Sequence, residues 1–257
     1  VKAIIRIILI FLISAFLAPG MNFPSCLAEE SAIQAVMENS KAIVSIQSLN
    51  ATVLNEKPQA ALDRATGQIL VAKRVRPVGY ARSGSGVIID PQGIIVTNAH
   101  TVKDAGGISV TLFEGSKVHG NLIHILSDND LAFLYIEPPF PLISVALANS
   151  DAVSANTDVY TIGHSQWLRG SLVGGKISGI GQDRSDGTAH AAVLRVSFGV
   201  YQGDSGSPIF DFKGNLLGII SAGQQGRNNG TFAIASNVIA AAYHGYLKQL
   251  AQNRVKE

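Results

Sequence analysis

The chain has 257 residues, 47% of them apolar and only 15% charged. That balance suits a sizeable buried core and excludes a disordered polyelectrolyte. A formal charge of +2 gives no support to a nucleic-acid partner, and 26 glycines with 9 prolines fit many short strands joined by tight turns.

Lys2 and Arg6 flank the start of an apolar run, residues 7–17, which Pro19 and Gly20 break before the small residues near 26–28. A basic start, a short apolar middle and a small-residue exit make a secretory signal, with cleavage expected after Ala28. An uncleaved membrane tether through residues 3–19 is the second reading. It is disfavoured because the run is shorter than the ~20 residues a spanning helix needs. Lipid attachment at Cys26 ranks third. Loss of residues 1–28 removes Lys2 and Arg6 from 20 basic residues, leaving 18 against 18 acidic ones. It also removes the only cysteine, Cys26. The mature chain is then expected to be secreted or periplasmic, without disulfides, and stabilised by burial alone.

Residues 31–41 read as a short helix with Ile33, Val36 and Met37 on one face. A first strand follows at 42–46. Residues 48–80 are polar and mixed, with Lys73, Arg74 and Arg76 toward the end, and read as a long loop or loose hairpin. From Gly84 onward strands and turns alternate. Strands are expected at 86–90 and 93–97 around a Pro91 turn, then at 108–113, 118–125 and 131–136. Glu137-Pro138-Pro139 ends that series. Strands resume at 158–162, 175–180, 192–198, 207–212, 216–221 and 231–234. Asn237 is placed to cap a final helix with Ile239, Tyr243, Tyr246, Leu247 and Leu250 at helical spacing. The pattern predicts an all-β fold of barrels or a sandwich, with a short N-terminal helix and a C-terminal helix.

The strongest motif is Gly203-Asp204-Ser205-Gly206-Ser207-Pro208. A hydroxyl nucleophile must stand clear of the backbone at a sharp bend, and flanking glycines permit that bend. The same bend aims backbone amides, here those of Gly203 and Ser205, at an oxyanion. Thr97-Asn98-Ala99-His100 ends an apolar strand and presents a base. The other histidines, 119, 124, 164, 190 and 244, lack such a setting; His164 is the nearest rival. Asp130, just ahead of Leu131-Ala132-Phe133-Leu134, is placed to orient that base, with Asp128 as its rival. The order His, Asp, Ser is that of the chymotrypsin-like barrels. A nucleophile, a base and an orienting acid need no metal and no organic cofactor.

Residues 84–102, with Gly-Ser-Gly-Val-Ile-Ile-Asp and Thr-Asn-Ala-His-Thr-Val, resemble the histidine segment of bacterial HtrA-type proteases. Asp130-Leu131-Ala132 resembles the acid segment, 203–208 the serine segment, and Phe232-Ala233-Ile234-Ala235-Ser236 the strand that closes the site. The resemblance covers roughly residues 31–245. It implies a trypsin-like serine endopeptidase with two six-stranded antiparallel β-barrels, about 42–140 and 150–236, within a domain 29–257 that ends in a helix at about 237–254. It implies His100, Asp130 and Ser205 as the triad, and a polypeptide substrate. Gly199, Ser221, Ala222, Gly223 and Gly230 fall around the primary specificity pocket. No acid lies there, so cleavage after uncharged apolar residues is expected.

Two departures stand out. Too few residues follow 245 for the PDZ domain that HtrA proteins usually carry, so regulation through one is not expected. Asp204 replaces the family's usual Asn and must find a partner or stay solvated. A likeness to glutamyl endopeptidases rests on Ser207-Pro208, but the strand after the serine has no histidine, so selection of Glu is disfavoured. HtrA enzymes are often trimers, which leaves homo-oligomerisation open. The reading from another class is a protease-fold binding protein, or an enzyme latent until a partner reshapes Tyr201-Gln202-Gly203.

Overall fold

The computed structural model describes residues 23–53, 59–62, 69–72, 75–163, 170–182, 192–200, 203–223 and 231–254. Helix α1 (Phe23–Asn39) runs into a 3-10 turn at Ser40–Ala42. It begins earlier than expected, and its buried face is rotated. Ala32 and Val36, one turn apart, are buried, whereas Ile33 and Met37 are exposed. The face that meets the body runs through Ala32 and Val36 and, beside them, Ala35 and Asn39 at Gly214. The segment expected to act as signal or tether lies largely outside the described residues. Among the described residues no helix is long and apolar enough to cross a membrane.

The first lobe is one antiparallel sheet of seven strands. They are β1 (Ile43–Val53), β4 (Val75–Asp90), β5 (Ile94–Asn98), β6 (Gly107–Thr111), β7 (Lys117–His119), β8 (Asn121–Leu126) and β9 (Leu131–Tyr135). Their order is β7-β6-β1-β4-β5-β9-β8. The described parts of the stretch 48–80 take the hairpin alternative. β1 and β4 stay paired out to Val53 and Val75, and β2 (Gln59–Leu62) pairs with β3 (Ile69–Ala72) beyond them. A ladder already started in the sheet extends without a new apolar run, which is why the composition did not reveal it.

The expected first barrel needs correction, because among the described residues no ladder closes this sheet. The run 118–125 breaks at Gly120, whose amide donates to Ile108 O at 2.9 Å. A Cβ there would lie 3.0 Å from the side chains of both Ile108 and Val110. β7 pairs with β6, whereas β8 pairs with β9. Consecutive strands one residue apart thus occupy opposite edges, so the sheet must curl until those edges approach.

The second lobe does close. β10 (Asp158–Gly163), β11 (Ser171–Gln182), β12 (Ala192–Val196), β15 (Thr231–Ala235), β14 (Leu216–Gly223) and β13 (Pro208–Phe210) form a six-stranded barrel in that order. One buried cluster spans both lobes. It includes Ile46, Val87, Ile95 and Phe133 from the first, and Phe210, Leu216 and Ile219 from the second. A smaller cluster, including Val159, Ile177, Leu194, Ile209 and Leu217, fills the barrel.

The two end helices cross over between lobes. Asn39 at the end of α1 donates from Nδ2 to Gly214 O at 2.7 Å, in the turn between β13 and β14. At the other end, the last helix (Ser236–Arg254) leaves the barrel and returns to the first sheet. There Tyr243 lies 5.5 Å from Phe133 and Tyr246 stacks on His124 at 5.0 Å. Ile239 is buried, but Leu247 and Leu250 of the expected stripe are exposed. The amide of Asn237 is met by Ser150 Oγ at 3.1 Å, while its own side chain bonds Asn149.

Candidate active site

β5 ends at Asn98, and a single helical turn, α2 (Ala99–Val102), carries His100. So short a helix cannot hold itself, because one turn costs more order than its bonds return. Its start is held by Asp130. The amide of Ala99 donates to Asp130 O at 3.0 Å, and the amide of His100 donates to Asp130 Oδ1 at 3.0 Å. Asp130 follows a 3-10 turn, Ser127–Asn129, and sits at φ 49° just before β9. Asp tolerates this left-handed conformation better than most residues, at a cost of roughly 1–2 kcal/mol.

That conformation aims the carboxylate at the imidazole. His100 Nδ1 lies 3.0 Å from Asp130 Oδ1 and 2.9 Å from Oδ2. Assigned from this geometry, the Nδ1 proton faces the acid and Nε2 is left as an acceptor. The imidazole is half-exposed and the carboxylate less so, at 49% and 29%. Ser221 Oγ adds a third donor, to Asp130 Oδ2 at 2.6 Å.

The turn bearing Ser205 needs glycine twice. Gly203 sits at φ 103° and Gly206 at φ 84°. A Cβ on Gly206 would lie 1.9 Å from Ser85 O. Ser85, on β4, is fully buried and clasps this turn. Its amide donates to Ser205 O at 2.7 Å and its Oγ to Gly203 O at 3.2 Å, while its carbonyl accepts from Thr97 Oγ1 at 2.7 Å. Gly206 N–H donates to Ile220 O at 2.7 Å. The loop is thus fixed from both lobes. Ser205 Oγ lies 3.5 Å from Ser221 O, longer than the roughly 2.5–3.0 Å of an ordinary O–H···O bond. Ser221 therefore touches the acid with its hydroxyl and the serine with its carbonyl.

Of the sequence-expected residues, His100 and Asp130 are in contact, and Ser205 Oγ lies 3.5 Å from the carbonyl of Ser221, whose hydroxyl bonds Asp130. Asp128 lies in the 3-10 turn before Asp130. Asp204 is buried, at 6% exposure, which removes the solvated option. Ser221, Ala222 and Gly223 lie on β14, with Ala222 opposite Phe232 and Gly223 opposite Thr231. Gly199 is exposed, between buried Phe198 and half-buried Val200, with no atom within 4 Å of an added Cβ. Gly230, Tyr201, Gln202 and His164 lie outside the described residues. Sequence reasoning missed Ser85, and it gave Ser221 a place in the pocket wall but not its bond to the acid. Glycines on both sides of Ser85 were the available signal, since they mark close backbone approach.

Residues 84–219 match the family described as trypsin-like peptidase domain. The periplasmic serine endoprotease DegP of Escherichia coli (strain K12) is 31% identical over 160 residues, covering 61% of this chain and 34% of DegP. A probable DegP-like periplasmic serine endoprotease of Rhizobium meliloti (strain 1021) is 32% identical over 168 residues, covering 64% of this chain and 32% of that protein. The chain thus matches about a third of the length of these curated relatives. An HtrA-type protease, AlgW, solved with a decapeptide, superposes with a TM-score of 0.67 at 22% identity, over 84% of this chain and 67% of that one. This last likeness bears on the fold. The matched span includes His100, Asp130 and Ser205, and the chain belongs to the trypsin-like peptidase family.

Proposed function

We propose that this chain is a serine endopeptidase with Ser205 as nucleophile, His100 as general base and then acid, and Asp130 as the group that orients the imidazole. The observation that carries the reading is the grip of Asp130 on His100 Nδ1 by both carboxylate oxygens, in a cluster that reaches Ser205 through Ser221. Family membership and the DegP relatives support it.

In this reaction Ser205 Oγ bonds to the scissile carbonyl carbon and its proton passes to His100 Nε2. The amides of Gly203 and Ser205 stabilise the oxyanion. The C–N bond then breaks, and Nε2 gives its proton to the leaving amine. Water repeats the sequence in reverse roles and frees the acid product. Attack requires Ser205 Oγ to come within hydrogen-bond reach of His100 Nε2, and apo sites often tighten in this way before the reaction.

By the family resemblance Gly199, Ser221, Ala222, Gly223 and Gly230 fall around the primary specificity pocket; none of them is an acid, which favours cleavage after uncharged apolar residues. The substrates are polypeptides in an exported compartment. The signal-like start of the sequence supports that location, as do the periplasmic descriptions of the relatives. A fluorophosphonate probe tests the chemistry: the wild type should be labelled and Ser205→Ala should not. Absence of wild-type labelling under every condition would favour a protease-fold binding protein. A peptide library tests the pocket, and dominant cleavage after Lys, Arg or Glu would overturn that part.

A further inference from the structure

We infer that Arg82 is a positioning residue for His100, acting by closing the carboxyl end of the single helical turn that carries it. The inference rests on the reading of His100 as the base. Arg82 lies on β4, and its guanidinium forks across the end of α2: Nη1 donates to His100 O, and Nη2 donates to Lys103 O at 2.7 Å. Carbonyls at a helix end have no partner within the helix, and a cation there also opposes the negative end of the peptide dipoles. The planar fork serves two carbonyls in a fixed geometry, which a lysine cannot reproduce.

The two ends of α2 are therefore held from different strands. Asp130, before β9, holds the amides of Ala99 and His100. Arg82 holds the carbonyls. The same short stretch of β4 also meets the serine. Ser85, three residues on, bonds both Ser205 O and Gly203 O. Between them, a Cβ on Gly84 would lie 2.9 Å from the Thr101 side chain on α2 and 3.0 Å from Ser205 O. The gap between the histidine turn and the serine turn is thus filled by one strand backbone. Arg82 fixes the histidine turn against that spacer, as Ser85 fixes the serine turn. Loss of Arg82 frees the carboxyl end of α2 to shift relative to Ser205, and a misplacement near 1 Å can cost on the order of 10²-fold in rate.

The test compares wild type with Arg82→Ala, Arg82→Lys and Lys117→Ala, the last removing a cation from the exposed edge strand β7. Fluorophosphonate labelling rate, peptide kcat and KM, and Tm are measured for each. Arg82→Ala should lose roughly 10- to 100-fold in labelling rate and kcat with KM within about twofold. Arg82→Lys should be intermediate, methylguanidinium should restore part of the Arg82→Ala rate, and Lys117→Ala should match wild type. If Arg82→Ala has no thermal transition, Arg82→Lys carries the comparison. Wild-type labelling with no rate change in either Arg82 variant overturns the inference while leaving the endopeptidase reading intact. So does a loss of rate that neither Lys nor methylguanidinium relieves. A wild type that is never labelled overturns the endopeptidase reading itself.

Discussion

Ser221 donates its hydroxyl to Asp130 Oδ2 at 2.6 Å, joining β14 of the closed barrel to the acid that precedes β9 of the open sheet. The bond neutralises part of the carboxylate's hydrogen-bonding demand and fixes its plane against the imidazole. Hydrogen bonds to charged groups contribute about 1.5–3 kcal/mol. Ser221→Ala is expected to lower kcat by roughly 10- to 100-fold while sparing the fold. Steady-state kinetics with a Tm measurement checks this; an unchanged kcat would remove Ser221 from the positioning network.

Asp130→Asn should be far more damaging, by about 10⁴ in kcat, because an amide can donate to Nδ1 and favour the wrong tautomer. It also weakens the acceptor for the His100 amide, so α2 loses part of its start. Asp128→Asn should change kcat little. The opposite ranking of the two variants would reassign the orienting acid.

Gly206→Ala places a methyl group against Ser85 O, at 1.9 Å, in a backbone conformation with φ 84°. The strained backbone alone costs about 1–3 kcal/mol, and the collision forces β4 away from the turn. A fall in Tm of more than about 5 °C and loss of fluorophosphonate labelling are expected together. Retained labelling at wild-type rate would show that the clasp is dispensable.

Alkaline conditions should loosen the fold through two tyrosines. Burial raises the hydroxyl of Tyr160 above its usual 10.0, with Asp158 and Glu29 adding to the shift and Lys176 opposing it. Burial likewise raises Tyr243, with Asp90 and Tyr246 adding to it. The folded state prefers the neutral phenol, so this contribution is complete below the unfolded value near 10.0 and is lost as pH rises above it toward the folded values. Tyr243→Phe should flatten the decline in Tm above pH 10 relative to wild type. An identical decline would locate the alkaline sensitivity elsewhere.

Much of the strand pattern was legible because the second lobe's strands are short apolar runs bounded by turn residues, as at 216–221 and 231–234. The paired extensions of β1 and β4 were not, because backbone pairing extended from an existing ladder leaves no periodicity to read. Nor was the break at Gly120, which sends β7 and β8 to opposite edges of the first sheet. At the site, Asp130 and His100 were readable from their places at strand ends. Ser85 and Arg82 were not. Each works through backbone atoms of residues distant in sequence, and neither forms a motif with them.

The exchange of end helices between lobes has a mechanical outcome. α1 is pinned to Gly214 in the closed barrel, and the final helix is pinned to Phe133 and His124 in the open sheet. A protease nick in the connection around Glu137 to Pro141 would therefore yield two fragments that still hold each other like crossed straps. Such a nicked molecule should elute from a sizing column at the intact volume and separate only on boiling in detergent. The halves are bound to melt as one unit.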